Sequence, residues 1–118
     1  MGGSPRAGLN ADSAMVNRTE VWWTDLPDMG RRPCLVLTRQ TAITIVRSVL
    51  AAPATRTIRG IPTEVPLGPE DGMPADCVLS LDNLLLVPKG LFVERICRLS
   101  LEKMRDVCAS LAIATGCE

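Results

Sequence analysis

Apolar and polar positions along the chain come in short bursts up to residue 99 and then change to a helical period. Short apolar or alternating runs bounded by Gly, Pro, Asp and Asn read as strands, whereas apolar residues at i, i+3 and i+7 read as one face of a helix. The runs at 20–26 (EVWWTDL), 34–38 (CLVLT) and 47–53 (RSVLAAP) are predicted strands, with a loop punctuated by Pro27 and Gly30. The run at 63–67 (TEVPL) is a further strand that Pro66 confines to a sheet edge or bulge, because proline has no N–H for a ladder. Two more, at 77–81 and 84–87, flank a bend at Asp82-Asn83, and ERICRL within 92–99 completes the set. Residues 68–74 (GPEDGMP) and Pro88-Lys89-Gly90 are breaks. Leu101, Met104, Val107, Cys108 and Leu111 then predict one apolar helix face. Ser100 caps that helix, Glu102 sits in its first turn and Gly116 ends it.

Many short strands followed by one amphipathic helix predict an α+β fold: a small, curled antiparallel sheet covered by a helix. The 118 residues suit one domain, burying roughly two-thirds of the unfolded surface. Residues 1–15 are rich in Gly, Ser, Ala and Asn without periodicity and are expected to be a disordered N-terminal extension, with Met15 a candidate start. The folded domain is expected over 16–118.

Composition narrows the chemistry. At 47% hydrophobic and 22% charged residues, the chain is globular rather than disordered. It has no His and no Tyr. Ser-His-Asp and Cys-His catalysis, histidine metal ligands and an imidazole switch are therefore excluded. The net charge of +0 argues against nucleic-acid binding by bulk charge alone. Charge is nevertheless segregated. Between residues 29 and 63 there are six arginines (Arg31, Arg32, Arg39, Arg47, Arg56, Arg59) and no acid, whereas 64–94 hold six acids and only Lys89. Guanidinium forks suit phosphate, although the same arginines could be spread over several faces. The five cysteines include no C-x-x-C pair. Four lie in apolar stretches and read as buried free thiols in a reducing cytoplasm. No signal-peptide pattern is present, and no apolar run nears the ~18 residues of a membrane span. The sequon Asn17-Arg18-Thr19 is read as chance. A cytoplasmic protein without membrane association is expected.

Two clusters could carry chemistry. Gly30-Arg31-Arg32-Pro33 runs into a buried strand, and Pro53-Ala54-Thr55-Arg56-Thr57-Ile58-Arg59-Gly60 ends another. Strand-end guanidiniums and hydroxyls together could clamp a phosphate. Trp22 and Trp23 are adjacent on a strand and point to opposite faces, so one belongs to the core; Trp22 is taken as the residue free to stack on a base or partner. No P-loop, G-x-G-x-x-G, H-E-x-x-H or paired metal carboxylates occur.

In order along the chain, these segments resemble the MazF/PemK toxin family. Arg18-Thr19-Glu20-Val21-Trp22 with Asp25-Leu26 is similar to its R-G-E-V-W…D-L opening, and Gly30-Arg31-Arg32-Pro33-Cys34-Leu35-Val36-Leu37 to its R-P-V-L-V-L strand. Ala52-Pro53-Ala54-Thr55 resembles A-P-V-T, Ile61-Pro62-Thr63-Glu64-Val65 resembles P-T-E-V, and Ser80-Leu81-Asp82-Asn83 stands where the family has an acid before Gln or Asn. The resemblance covers about 17–116. It departs at Thr19 for Gly, at a short loop after Pro27, and at Leu84-Leu85-Leu86 for I-R-T.

What the resemblance implies is an SH3-like (CcdB/MazF-type) barrel with a C-terminal helix, working as a homodimer and as the toxin of a type II toxin–antitoxin pair. Its implied activity is metal-independent, sequence-specific cleavage of single-stranded RNA to 2′,3′-cyclic phosphate and 5′-hydroxyl ends. No cofactor and no metal are implied. The family's functional Arg and Thr fall on Arg32 and Thr55. Arg32 would stabilise phosphorane charge and Thr55 donate a further hydrogen bond. The proton acceptor is left open between Glu20, water and a perturbed Arg32, since an ordinary guanidinium is a poor base. Arg31, Pro33, Arg56, Asp82, Asn83 and Trp22 are the expected RNA contacts. A MazE-like antitoxin segment is expected over Arg32, with an apolar groove near Trp22 to receive it. Two other readings are a CcdB-like toxin acting on DNA gyrase and a plain SH3-like binding module.

Overall fold

The computed structural model describes residues 16–118; the extension expected over 1–15 lies outside them. Seven strands form one antiparallel sheet among the described residues: β1 (Glu20–Leu26), β2 (Gly30–Val36), β3 (Ser48–Thr55), β4 (Glu64–Leu67), β5 (Cys77–Ser80), β6 (Leu85–Pro88) and β7 (Phe92–Arg98). A single helical turn, α1 (Gln40–Ile43), precedes β3, and α2 (Leu101–Thr115) follows β7. The spatial order is β4-β5-β3-β2-β1-β7, with β6 also paired to β3. The sheet is open, ending at β4 and β7. The Pro66 strand β4 lies at an edge, where a missing N–H costs no ladder bond.

β2 starts four residues before the apolar run that signals it. Gly30, at φ +73°, takes a left-handed conformation that a side chain would resist, and it returns the chain at once beside Leu26. Pairing then proceeds Asp25↔Arg31, Thr24↔Arg32, Trp23↔Pro33 and Trp22↔Cys34. The Arg-Arg-Pro segment is thus strand because of its partner.

β3 is the spine. Residues 51–53 pair with β2, residues 48–51 with β6 and residues 54–55 with β5. Pro53 stands where β3 passes from β6 to β5.

Alternating side chains feed two cores. Val21, Leu35, Ala52, Leu79, Met104 and Val107 join one, under α2. Cys34, Val36, Val49, Ala51, Val87 and Phe92 join the other. Helix α2 is held at both ends. The Ser100 hydroxyl accepts from the Lys103 N–H at 3.0 Å, and Gly116, at φ +73°, closes the C-terminus with its N–H and that of Cys117 bonded to Ile113 and Ala112 carbonyls. Its buried face is narrower than the sequence predicts. Met104 and Val107 are buried, but Leu101 is 72% exposed. Cys108 is exposed too, correcting its reading as a core thiol. Both lie on the flank of the helix that borders a surface depression with Arg18 and Arg105. Among the described residues no helix is long and apolar enough to cross a membrane.

Candidate active site

Arg32 and Thr55 approach each other because β2 and β3 are neighbours. Arg32 lies two residues before Cys34, which pairs with Pro53, two residues before Thr55. Both side chains line a cleft of about 390 Å³ that continues past Trp23, Pro33, Arg56 and Thr57 to Met73–Cys77. Both also line an adjoining depression of about 200 Å³ with Met29, Thr57, Arg59, Ser80 and Asn83. Arg32 and Thr55 therefore stand on the ridge between two connected hollows.

Arg32 is half-buried and forms no ion pair among the described residues. Its Nε reaches only the Met29 carbonyl, at 3.5 Å. The guanidinium is thus free to bind an anion. Beneath it, burial pushes the Cys34 thiol up to about 11, although Thr24 and Arg32 pull the other way. That thiol is an inert packing group. Thr55 ends β3, and its Oγ1 accepts from the Thr57 N–H at 3.2 Å. This contact orients the hydroxyl and leaves its proton to be donated elsewhere. The loop beyond is anchored by Glu64. Its Oε1 accepts from the N–H groups of Arg59 and Gly60 at 2.9 and 3.1 Å.

Of the residues singled out in the sequence, Arg32, Thr55, Pro33, Arg56 and Asn83 are brought together. Asn83 donates from Nδ2 to Ser80 Oγ at 2.7 Å, which leaves its carbonyl available. Four others lie outside the cleft. Glu20 is 1% exposed. Its carboxylate accepts from Asn17 N and Trp22 Nε1, both at 2.9 Å, and from Arg95 Nη1 and Arg98 Nη2 at 3.2 and 3.3 Å. Burial alone would raise its pKa, but the hydrogen bonds from Trp22, Asn17, Arg95 and Arg98 outweigh it and hold the carboxyl below its ordinary value. It sits four residues along β1 from the partner of Arg32, roughly 13 Å of strand away.

Arg31 points away from Arg32 and is matched by Asp25, Nε to Oδ1 at 2.8 Å. That hydrogen bond holds the Asp25 carboxyl below its usual range. Asp82 accepts from the Thr63 hydroxyl and turns out of both hollows. Trp22 is drawn toward β7, where it meets Phe92 edge-on at 6.4 Å and donates to Glu20. Trp23 is the indole in the cleft. Alternation predicts that the two rings part, but not which one meets the site. Trp22 packs against the second core.

Asp76 and Met73, which the sequence does not single out, line the cleft from the loop before β5. No local pattern marks them, since they reach the site only because β5 pairs with the end of β3. Among the described residues no group of three or more Cys, Asp or Glu side chains is gathered for a metal.

Residues 17–115 match the family described as PemK-like, MazF-like toxin of type II toxin-antitoxin system. The chain is 41% identical over 106 residues to the probable endoribonuclease MazF5 of Mycobacterium tuberculosis, covering 89% of this chain and 97% of the relative. It is 38% identical over 103 residues to the probable endoribonuclease MazF2 of the same organism, covering 86% and 100%. Among solved structures, the Mycobacterium tuberculosis toxin MazF-mt6 superposes with a TM-score of 0.78 at 27% identity, covering 84% of this chain and 98% of that one. A mycobacterial endoribonuclease in complex with its cognate antitoxin superposes with a TM-score of 0.79 at 26% identity, covering 87% and 97%.

Proposed function

The chain belongs to the PemK-like, MazF-like toxin family of type II toxin–antitoxin systems, and from that premise we propose that it is an endoribonuclease cutting single-stranded RNA, without a metal, at the cleft around Arg32 and Thr55. The observation that carries this is the meeting of an unpaired guanidinium and an oriented hydroxyl, from two separate strands, on the ridge between two hollows. An RNA strand laid across that ridge has a subsite on each side of the scissile phosphate.

In the proposed reaction the 2′-oxygen attacks the adjacent phosphorus. The O2′–P bond forms and the P–O5′ bond breaks, leaving a 2′,3′-cyclic phosphate and a 5′-hydroxyl. Negative charge builds on the non-bridging oxygens as phosphorus becomes five-coordinate. Arg32 offers a fork of donors to those oxygens, and Thr55 offers its hydroxyl proton. Both are pre-oriented by the strands that carry them, so little reorganisation is needed as charge develops. Pro33, Arg56 and Asn83 are the proposed flanking RNA contacts. Glu20, buried among four donors, has no part in the proton transfer.

A cognate MazE-like antitoxin segment is proposed to lie in the same arginine-lined cleft; a structural relative was solved with its own antitoxin. A homodimer is proposed through the apolar surface where Leu50, Leu84 and Leu111 line a shallow hollow, with Leu86 beside Leu50 across the β3–β6 ladder. The proposed place of action is the cytoplasm, where the RNA is. Gyrase poisoning and a plain SH3-like binding module are not favoured, because the relatives are named probable endoribonucleases.

The purified protein is expected to cleave single-stranded RNA in EDTA and leave 5′-hydroxyl ends. Arg32→Ala and Thr55→Ala are each expected to lower the rate by ~10²–10³. An absolute need for added metal, or wild-type rates in Arg32→Ala, would refute the assignment.

A further inference from the structure

We infer that Asp76 is the group that takes the proton from the attacking 2′-hydroxyl, an inference that rests on the endoribonuclease reading above. The reaction requires an acceptor, and the chain has no histidine to supply one. Glu20 is consumed by its own hydrogen bonds in the interior. Among the residues that line the two hollows, Asp76 is the one carboxylate.

Its position suits the task. In the sheet, β3 lies between β2 and β5, so Thr55 is flanked by Arg32 on one side and by Val78 on the other, and Asp76 lies two residues before Val78. Two inter-strand spacings and two residues along the chain separate Arg32 from Asp76, roughly 12 Å of backbone. The two opposite charges share one cleft without closing on each other as an ion pair. A phosphodiester bound between them would turn its charged oxygens toward Arg32 and its ribose toward Asp76.

Asp76 is exposed, so it meets substrate directly. Its place is shaped by Gly68. A Cβ on Gly68 would come within 2.7 Å of Asp76 Oδ1 and 2.4 Å of Glu70 Oε1. The missing side chain admits both carboxylates. The charged and titratable groups around Asp76 are Glu70 and Asp71 from the turn before it, Arg56 from the loop after β3, Arg32 from β2 and the Cys77 thiol beside it. Cys77 registers this cluster: burial first, then Asp76 and Asp71, push its pKa up, while Arg56 pulls it down.

The proton balance closes. The Asp76 carboxylate accepts the 2′-proton as the O2′–P bond forms. The departing 5′-oxygen takes a proton from water, and protonated Asp76 returns its proton to the hydroxide so produced.

Asp76→Asn keeps the shape and removes the base. It is expected to lower kcat by ~10²–10⁴ while leaving unchanged the affinity for RNA that carries a 2′-deoxy nucleotide at the cleavage position. Gly68→Ala, which displaces carboxylate ends rather than backbone, should lower kcat with the melting temperature preserved. Asp76→Asn cutting at the wild-type rate, or losing 2′-deoxy RNA affinity by the same factor as kcat, would overturn the inference. A wild-type protein that cuts no RNA would instead bring down the endoribonuclease reading itself.

Discussion

Glu20 is an ionised carboxylate with almost no water around it, and four donors take the place of that water. Its pKa is lower in the folded chain than in the unfolded one. Its stabilisation is therefore fully present above the unfolded carboxylate value, near ~4.3, and is lost as pH falls through the lower folded value. Glu20→Gln keeps the shape but weakens the bonds to Arg95 and Arg98. It is expected to cost about 2–3 kcal/mol at neutral pH and to flatten the acid limb of stability, both measurable by urea melts across pH. Cleavage by the surviving folded fraction should be unchanged, which separates this residue from the cleft. At this scale the sequence was legible for residue type and not for assignment. The R-P and A-P-x-T motifs mark Arg32 and Thr55, and alternation separates Trp22 from Trp23. Whether a charge faces a cleft or a buried partner depends on strands far away in the chain.

Local signals are strongest at α2. The Ser100 hydroxyl and the left-handed Gly116 are both visible as residue types at the right places, and both act as expected. Ser100→Ala is expected to lose the bond to the Lys103 N–H and to cost about 1 kcal/mol, read as a lower melting temperature with cleavage intact. The strands β1, β5 and β7 stand close to where alternation puts them. β2 does not, because Arg31, Arg32 and Pro33 carry no strand preference of their own. The tight return at Gly30 imposes their pairing with β1. That imposed pairing is also what holds Arg32 on a rigid strand rather than on a loop. The helical turn α1 and the short turns at Pro69–Asp71 and Lys89–Leu91 went unforeseen, since pieces so short carry no periodicity.

Across the whole molecule, the first strand is closed by the last, β1 against β7, and one long strand, β3, gathers β2, β5 and β6 around the site. The surface left over includes Leu86, 72% exposed, beside Leu50 on the neighbouring strand. This apolar pair is part of the surface proposed above for the homodimer. Leu86→Glu is accordingly expected to shift the protein from dimer to monomer in light scattering while the fold is retained. By itself the sequence determined the class of the fold, the stops of its long helix and the identity of the two strand-end motifs. Caps, alternation and motifs are each written within a few neighbouring residues, where chain geometry alone brings the groups together. Only the tertiary structure decided that Arg32, Thr55 and Asp76 share one cleft while Glu20, Arg31 and Asp82 are taken up by partners elsewhere. Those neighbours meet through the register between segments tens of residues apart. A slip of one residue in that register would turn each of these side chains to the other face of the sheet.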